Sequence, residues 1–135
     1  MSLPSLLHYL SFSGIKLELK GEKIRVYYND IIPSPVILQE IRTNKLKLIS
    51  TLRNDEEVKE AGFIVGIPGI LYTLTLDKYN ILYIEKNNDK WESRVETYQK
   101  GRKKAVKIKL IETGNTFDFV LYKTKRYLNR VLKKV

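Results

Sequence analysis

The sequence predicts an α+β fold. Three pairs of segments alternate apolar and polar residues on either side of a turn, and hydroxyl or carboxylate caps precede runs of helix-spaced apolar residues. In order they give a small helix–hairpin–helix–helix unit over 1–53. A basic unit of two hairpins and two helices follows over 63–135.

Ser2 caps a first helix with Leu3, Leu6, Leu7 and Leu10 on one face, and Gly14 lies just past its end. Ile15-Lys16-Leu17-Glu18-Leu19 alternates strictly, turns through Lys20-Gly21-Glu22-Lys23 and returns as Ile24-Arg25-Val26-Tyr27-Tyr28. Ser34-Pro35 starts a helix, the hydroxyl as cap and the proline in the first turn. Val36, Ile37 and Ile41 follow at helical spacing, and after Asn44 the pattern resumes with Leu46, Leu48, Ile49 and Leu52. Asn54-Asp55-Glu56-Glu57 is a polar break, so 54–62 is either a linker or a short helix ending near Ala61.

In the second unit, Phe63-Ile64-Val65 reads as a short strand. Ile70–Leu76 and Ile81–Glu85 form a hairpin around Asp77-Lys78-Tyr79-Asn80. Asp89 and Glu92 then suggest a capped helix with Trp91, Val95 and Tyr98 on one face, ended by Gly101. Val106, Ile108 and Leu110 alternate with Lys107 and Lys109, predicting a strand whose outward face is the lysine face. Thr113-Gly114-Asn115 is its turn and Phe117–Leu121 the return strand. Thr124 caps a last helix with Tyr127, Leu128, Val131 and Leu132 on the apolar face. Its other face carries Lys125, Arg126, Arg130, Lys133 and Lys134.

Charge is segregated along the chain. Residues 1–93 hold 12 basic and 12 acidic side chains, whereas residues 94–135 hold 13 and 3, so the whole net charge of +10 lies in the last segment. A polyanionic partner favours such segregation and a fold does not need it; the alternative is a solvated lysine face. Arg102, Lys103, Lys104, Lys107, Lys109, Arg126 and Arg130 are the candidate nucleic-acid contacts, with Tyr98, Tyr122 and Tyr127 near enough in sequence to stack on bases. Duplex and single strand both remain open. One Met, two Gln and no Cys suit a thermophile.

Much enzymology is excluded. Without cysteine there are no disulfides, thiolate metal sites or cysteine nucleophiles, and one histidine, His8, allows no multi-histidine metal site. Phosphate-binding and hydrolase motifs are absent. Gly66-Ile67-Pro68-Gly69 with Ile81–Lys86 is similar to the hairpin of PD-(D/E)xK nucleases. However, Gly69 stands where the first metal-binding acid belongs, and Glu85-Lys86 lacks the spacer. The chain is therefore read as non-enzymatic, with no cofactor and no metal. The apolar stretch Ala61–Leu76 is broken by Gly62, Gly66, Pro68 and Gly69, so no membrane span and a cytoplasmic location are expected.

Leu6-Leu7, Gly14-Ile15, Leu17, Gly21, Ile24-Arg25-Val26, Pro35, Ile41, Lys45, Leu48 and Leu52-Arg53 together resemble the TubC-type N-terminal docking domains of nonribosomal peptide synthetases. The resemblance covers about 1–53. It implies that the hairpin edge receives a short acidic segment of a protein partner by strand addition, with Lys16, Lys20, Lys23 and Arg25 at the receiving surface. Domains of this appearance also accompany replication proteins of mobile elements. The rest of the 135-residue chain is too short for a synthetase module, so docking in general is implied. A unit this small gains from self-association, which makes a homodimer an expectation. The function expected is an accessory to DNA transactions, binding nucleic acid through the basic unit and a partner through the hairpin. The alternative is a docking adaptor without nucleic acid.

Overall fold

A computed structural model of the chain describes residues 1–132. Helices and antiparallel strands are combined in two compact units. The first comprises Met1–Ala61 with Ile67–Gly69, and the second comprises Gly62–Gly66 with the chain from Ile70 onward.

In the first unit, α1 (Leu3–Phe12) begins where the Ser2 hydroxyl accepts from the Ser5 N–H, which satisfies one of the unpaired donors of the first turn. It stops before Gly14, whose φ of 70° is the left-handed conformation that only glycine adopts without strain. β1 (Lys16–Lys20) and β2 (Lys23–Tyr27) pair antiparallel, with Leu17 opposite Val26 and Leu19 opposite Ile24. The Ser34 hydroxyl caps α2 (Pro35–Thr43) through the Ile37 N–H. α3 (Lys45–Glu60) follows after Asn44. Leu6, Leu7, Leu10, Ile37, Ile41, Leu48, Ile49, Leu52 and Val58 are buried and form the core. α3 runs straight through Asn54–Glu57, the stretch where a polar break was expected. The reason is visible in the burial: Asp55 is 5% and Val58 0% exposed, so these turns serve the core.

The second unit is a five-stranded meander with one helix. β3 (Ile64–Ile67), β4 (Leu71–Thr75), β5 (Asn80–Asn87), β6 (Lys90–Thr97) and β7 (Lys107–Gly114) lie side by side in chain order, and α4 (Phe117–Val131) follows. At the β4–β5 turn Asp77 accepts from the Tyr79 and Asn80 N–H groups, an Asx turn. Those bonds hold its carboxyl below the ordinary aspartate range.

Two expected elements are corrected here. The helix expected around Trp91, Val95 and Tyr98 is β6, paired with β5 on one side and β7 on the other. Trp91 and Val95 are four residues apart, a spacing common to both periods. Ser93 decides, because it is completely buried between them and follows a period of two. The strand expected over Phe117–Leu121 is the start of α4, capped by the Thr116 hydroxyl through the Phe119 N–H. Thr124 is not a cap. It lies inside α4 and donates to the Val120 carbonyl at 2.7 Å. Among the described residues the basic unit therefore has one helix where two were expected.

Opposite residues in the ladder share a face, so Tyr72, Ile84 and Ser93 lie together, as do Leu74, Leu82 and Val95. α4 lays Phe117, Val120, Leu121, Thr124 and Leu128 against this face. Three rings anchor it. Tyr72 stacks on Trp91 with centroids 6.1 Å apart, and Phe117 meets Trp91 edge-on at 5.1 Å and Tyr72 at 5.9 Å.

Candidate nucleic-acid interface

The basic residues of the second unit lie on the loop after β6, on β7 and on α4. Arg102, Lys103 and Lys104 occupy the exposed loop, and Lys107 and Lys109 lie two residues apart on β7, both exposed. Lys109 pairs with Val95 and Lys107 with Thr97, so both lysines are on the α4 side of the sheet. They stay exposed even though α4 packs against β7, which lies at one edge of the sheet.

The face assignment differs from the expected one. The lysine face was expected to point away from the core, but it is the face α4 packs on, and Ile108 and Leu110 point to the opposite, open side, 62% and 56% exposed. Alternation reveals that a strand has two unlike faces; the ladder register decides which one meets the helix. Here the register contains a bulge at Ser93/Arg94, which leaves Ile111 as the extra residue between Leu110 and Glu112.

Strand and helix meet at Lys109, whose ammonium lies 5.3 Å from the centroid of the Tyr127 ring. Two further pairs lie on α4: Lys123 is 5.7 Å from the Phe119 ring and Arg126 is 5.8 Å from the Tyr122 ring. Arg126 and Arg130 are exposed. Among the described residues, none of the seven candidate cations forms an ion pair. Lys133 and Lys134 lie outside the described residues.

A further C-terminal cation, Arg94 on β6, behaves differently. Arg94 reaches Glu85 and Glu92 through Nη1 at 3.0 Å each and Glu96 through Nε at 2.6 Å, on the open face of the sheet. It also lies over the Tyr83 ring at 5.0 Å. Burial acts to lower the Arg94 pKa, but its bonds to Glu96 and Glu85 outweigh that and keep it firmly charged. Tyr98 joins this network, with its hydroxyl bonded to Glu96 and 2.9 Å from that of Tyr83. Tyr98 is thus held with the carboxylates and is separate from the lysine row.

Phe119 was not among the residues singled out from the sequence. Its ring rests on Gly114 at the end of β7, where an added Cβ would come within 2.7 Å of it. The signal was available: Thr116 is a good cap, and Phe119, Tyr122 and Arg126 follow at helical spacing.

In the first unit, Lys16, Lys20, Lys23 and Arg25 are all exposed on the β1–β2 hairpin. The hairpin is a two-stranded sheet, so each strand has an edge that pairs with no other strand among the described residues. Lys20 is bonded to Glu18 at 2.8 Å, which lowers the Glu18 pKa and raises that of Lys20. Arg25 stands across the ladder from Glu18.

Among the described residues no group of His, Asp or Glu side chains is arranged to hold a metal ion, and no helix is long and apolar enough to cross a membrane. Neither a family model, nor a curated protein, nor a solved structure matches the chain.

Proposed function

We propose that the protein is a non-enzymatic accessory factor in DNA transactions, of the replication or mobile-element kind. It binds nucleic acid with little sequence preference through the β7–α4 surface. The observation that carries this reading is the approach of Lys109 to Tyr127. It joins the cations of the strand to those of the helix, in the segment that holds the entire net charge of +10. Unpaired, exposed cations on one surface favour a phosphate backbone, because each neutralised phosphate releases counterions.

The test is a salt titration of labelled oligonucleotides with the full chain. With about five phosphates neutralised, log K falls against log salt with a slope of roughly −4 to −5 on duplex. Absence of any binding tighter than about 100 μM near physiological salt overturns the reading.

A second reading is favoured by the hairpin: a docking adaptor that captures an acidic partner segment by strand addition at β1 or β2. The unpaired edges and the exposed Lys16, Lys23 and Arg25 support it. Arg25→Glu then weakens capture of an acidic peptide while leaving the melt nearly unchanged; unaltered capture removes this role.

A further inference from the structure

We propose that the β7–α4 surface takes single-stranded nucleic acid in preference to duplex, with the Phe119 and Tyr122 rings as stacking platforms. This rests on the nucleic-acid reading above and names its substrate class.

Phe117, Val120, Leu121, Thr124 and Leu128 are buried, which turns Phe119, Tyr122 and Arg126 to the opposite side of α4. Phe119 is 44% and Tyr122 57% exposed. The Tyr122 ring, more than half of it in water, contributes little to the packing of α4, whose buried face is complete without it. Three residues separate the two rings, a rise of about 4.5 Å along the helix, so they lie within one turn of each other.

Each ring has its own cation. Lys123 lies over Phe119, Arg126 over Tyr122, and Lys109 brings a third charge to Tyr127 at the strand edge. Ring faces beside unpaired cations are what a single strand requires: bases stack on the rings while the charges follow the backbone. A duplex uses only the charges, because its bases are already stacked on one another and present edges in the grooves. The rings thus distinguish the two ligands, and the charges do not.

The position of Phe119 is also defined. Its ring is seated on Gly114, so the platform is formed before the ligand arrives.

The experiment titrates the full chain with a labelled oligothymidine, alone and annealed to its complement. Tyr122→Ala is expected to weaken single-strand binding roughly 5- to 150-fold, the range of one base stack, and to leave duplex binding unchanged. Tyr122→Phe keeps the ring and is expected to bind like the wild type. Phe119→Ala repeats the test at the second ring, with its melt checked because that ring touches Gly114. Equal binding of both ligands, insensitive to either alanine, overturns the single-strand inference and leaves the nucleic-acid reading intact. Failure of both ligands to bind overturns the reading itself.

Discussion

Tyr98 donates its phenolic proton to Glu96 at 2.6 Å, and Arg94 donates to the other oxygen of that carboxylate at the same distance. The bond to Glu96, then the one to Tyr83, raises the Tyr98 pKa well above the usual phenol value. Burial acts to raise the Glu96 pKa, but the Tyr98 hydroxyl and the Arg94 guanidinium outweigh it and hold the carboxyl below its ordinary value. A depressed folded-state pKa contributes stability that is complete above the unfolded value, about 4.3, and is lost as pH falls through the folded one. Urea melts between about pH 7 and pH 3 should therefore show a smaller acid loss for Glu96→Gln than for the wild type. Parallel losses would show that the network contributes nothing.

Ser93 Oγ is fully buried and has no hydrogen-bond partner among the described residues. An unsatisfied buried hydroxyl costs about 1–3 kcal/mol, and alanine removes it at nearly constant volume. Ser93→Ala is expected to melt at the same urea concentration as the wild type, or a higher one. A loss above about 1 kcal/mol would mean that the hydroxyl has a partner.

Asp55 accepts the buried Gly69 N–H at 2.8 Å. Asp55→Ala leaves that N–H without its acceptor and should cost about 1–3 kcal/mol, while Asp55→Asn retains an oxygen and should cost less. Gly69 has φ 72°, and a Cβ there would overlap the Thr51 side chain. Gly69→Ala is therefore expected to lose more than the roughly 1 kcal/mol of a merely unsuitable backbone. Chemical denaturation of the three variants checks the order.

Reversing Lys103, Lys104, Lys107 and Lys109 to glutamate should flatten the salt slope of nucleic-acid binding and leave the thermal midpoint close to wild type. All four side chains are exposed and none is in an ion pair among the described residues. An unchanged slope would place the phosphate contacts elsewhere.

The first unit was the more legible in the sequence, because its signals are local. Ser2 and Ser34 each cap the helix they precede, and Gly14 ends the first one. The second unit depends on partners distant in the chain. Asn88, at φ 57° in the turn between Asn87 and Lys90, is a hairpin signal that the nearby Asp89 and Glu92 disguised as a helix cap. Thr124 resembled a cap because a threonine that bonds to its own helix looks the same in sequence as one that starts a helix. The site followed the same division. The cations were legible one by one. The approach of Lys109 to Tyr127, the face the strand lysines occupy and the seat of Phe119 on Gly114 all depend on β7 packing beside α4.

The chain changes unit between Ala61 and Gly62, returns between Gly66 and Ile67, and leaves again between Gly69 and Ile70. A protein assembled by joining two finished modules end to end would carry one seam; this one carries three, enclosing eight residues. Recombination at any single point there would strand a piece of one unit on the other. A break after Ala61, for example, takes the Gly69 N–H away from the buried Asp55. The two halves are therefore expected to be inherited together, and shuffling either into a new gene would require redesigning this short stretch first.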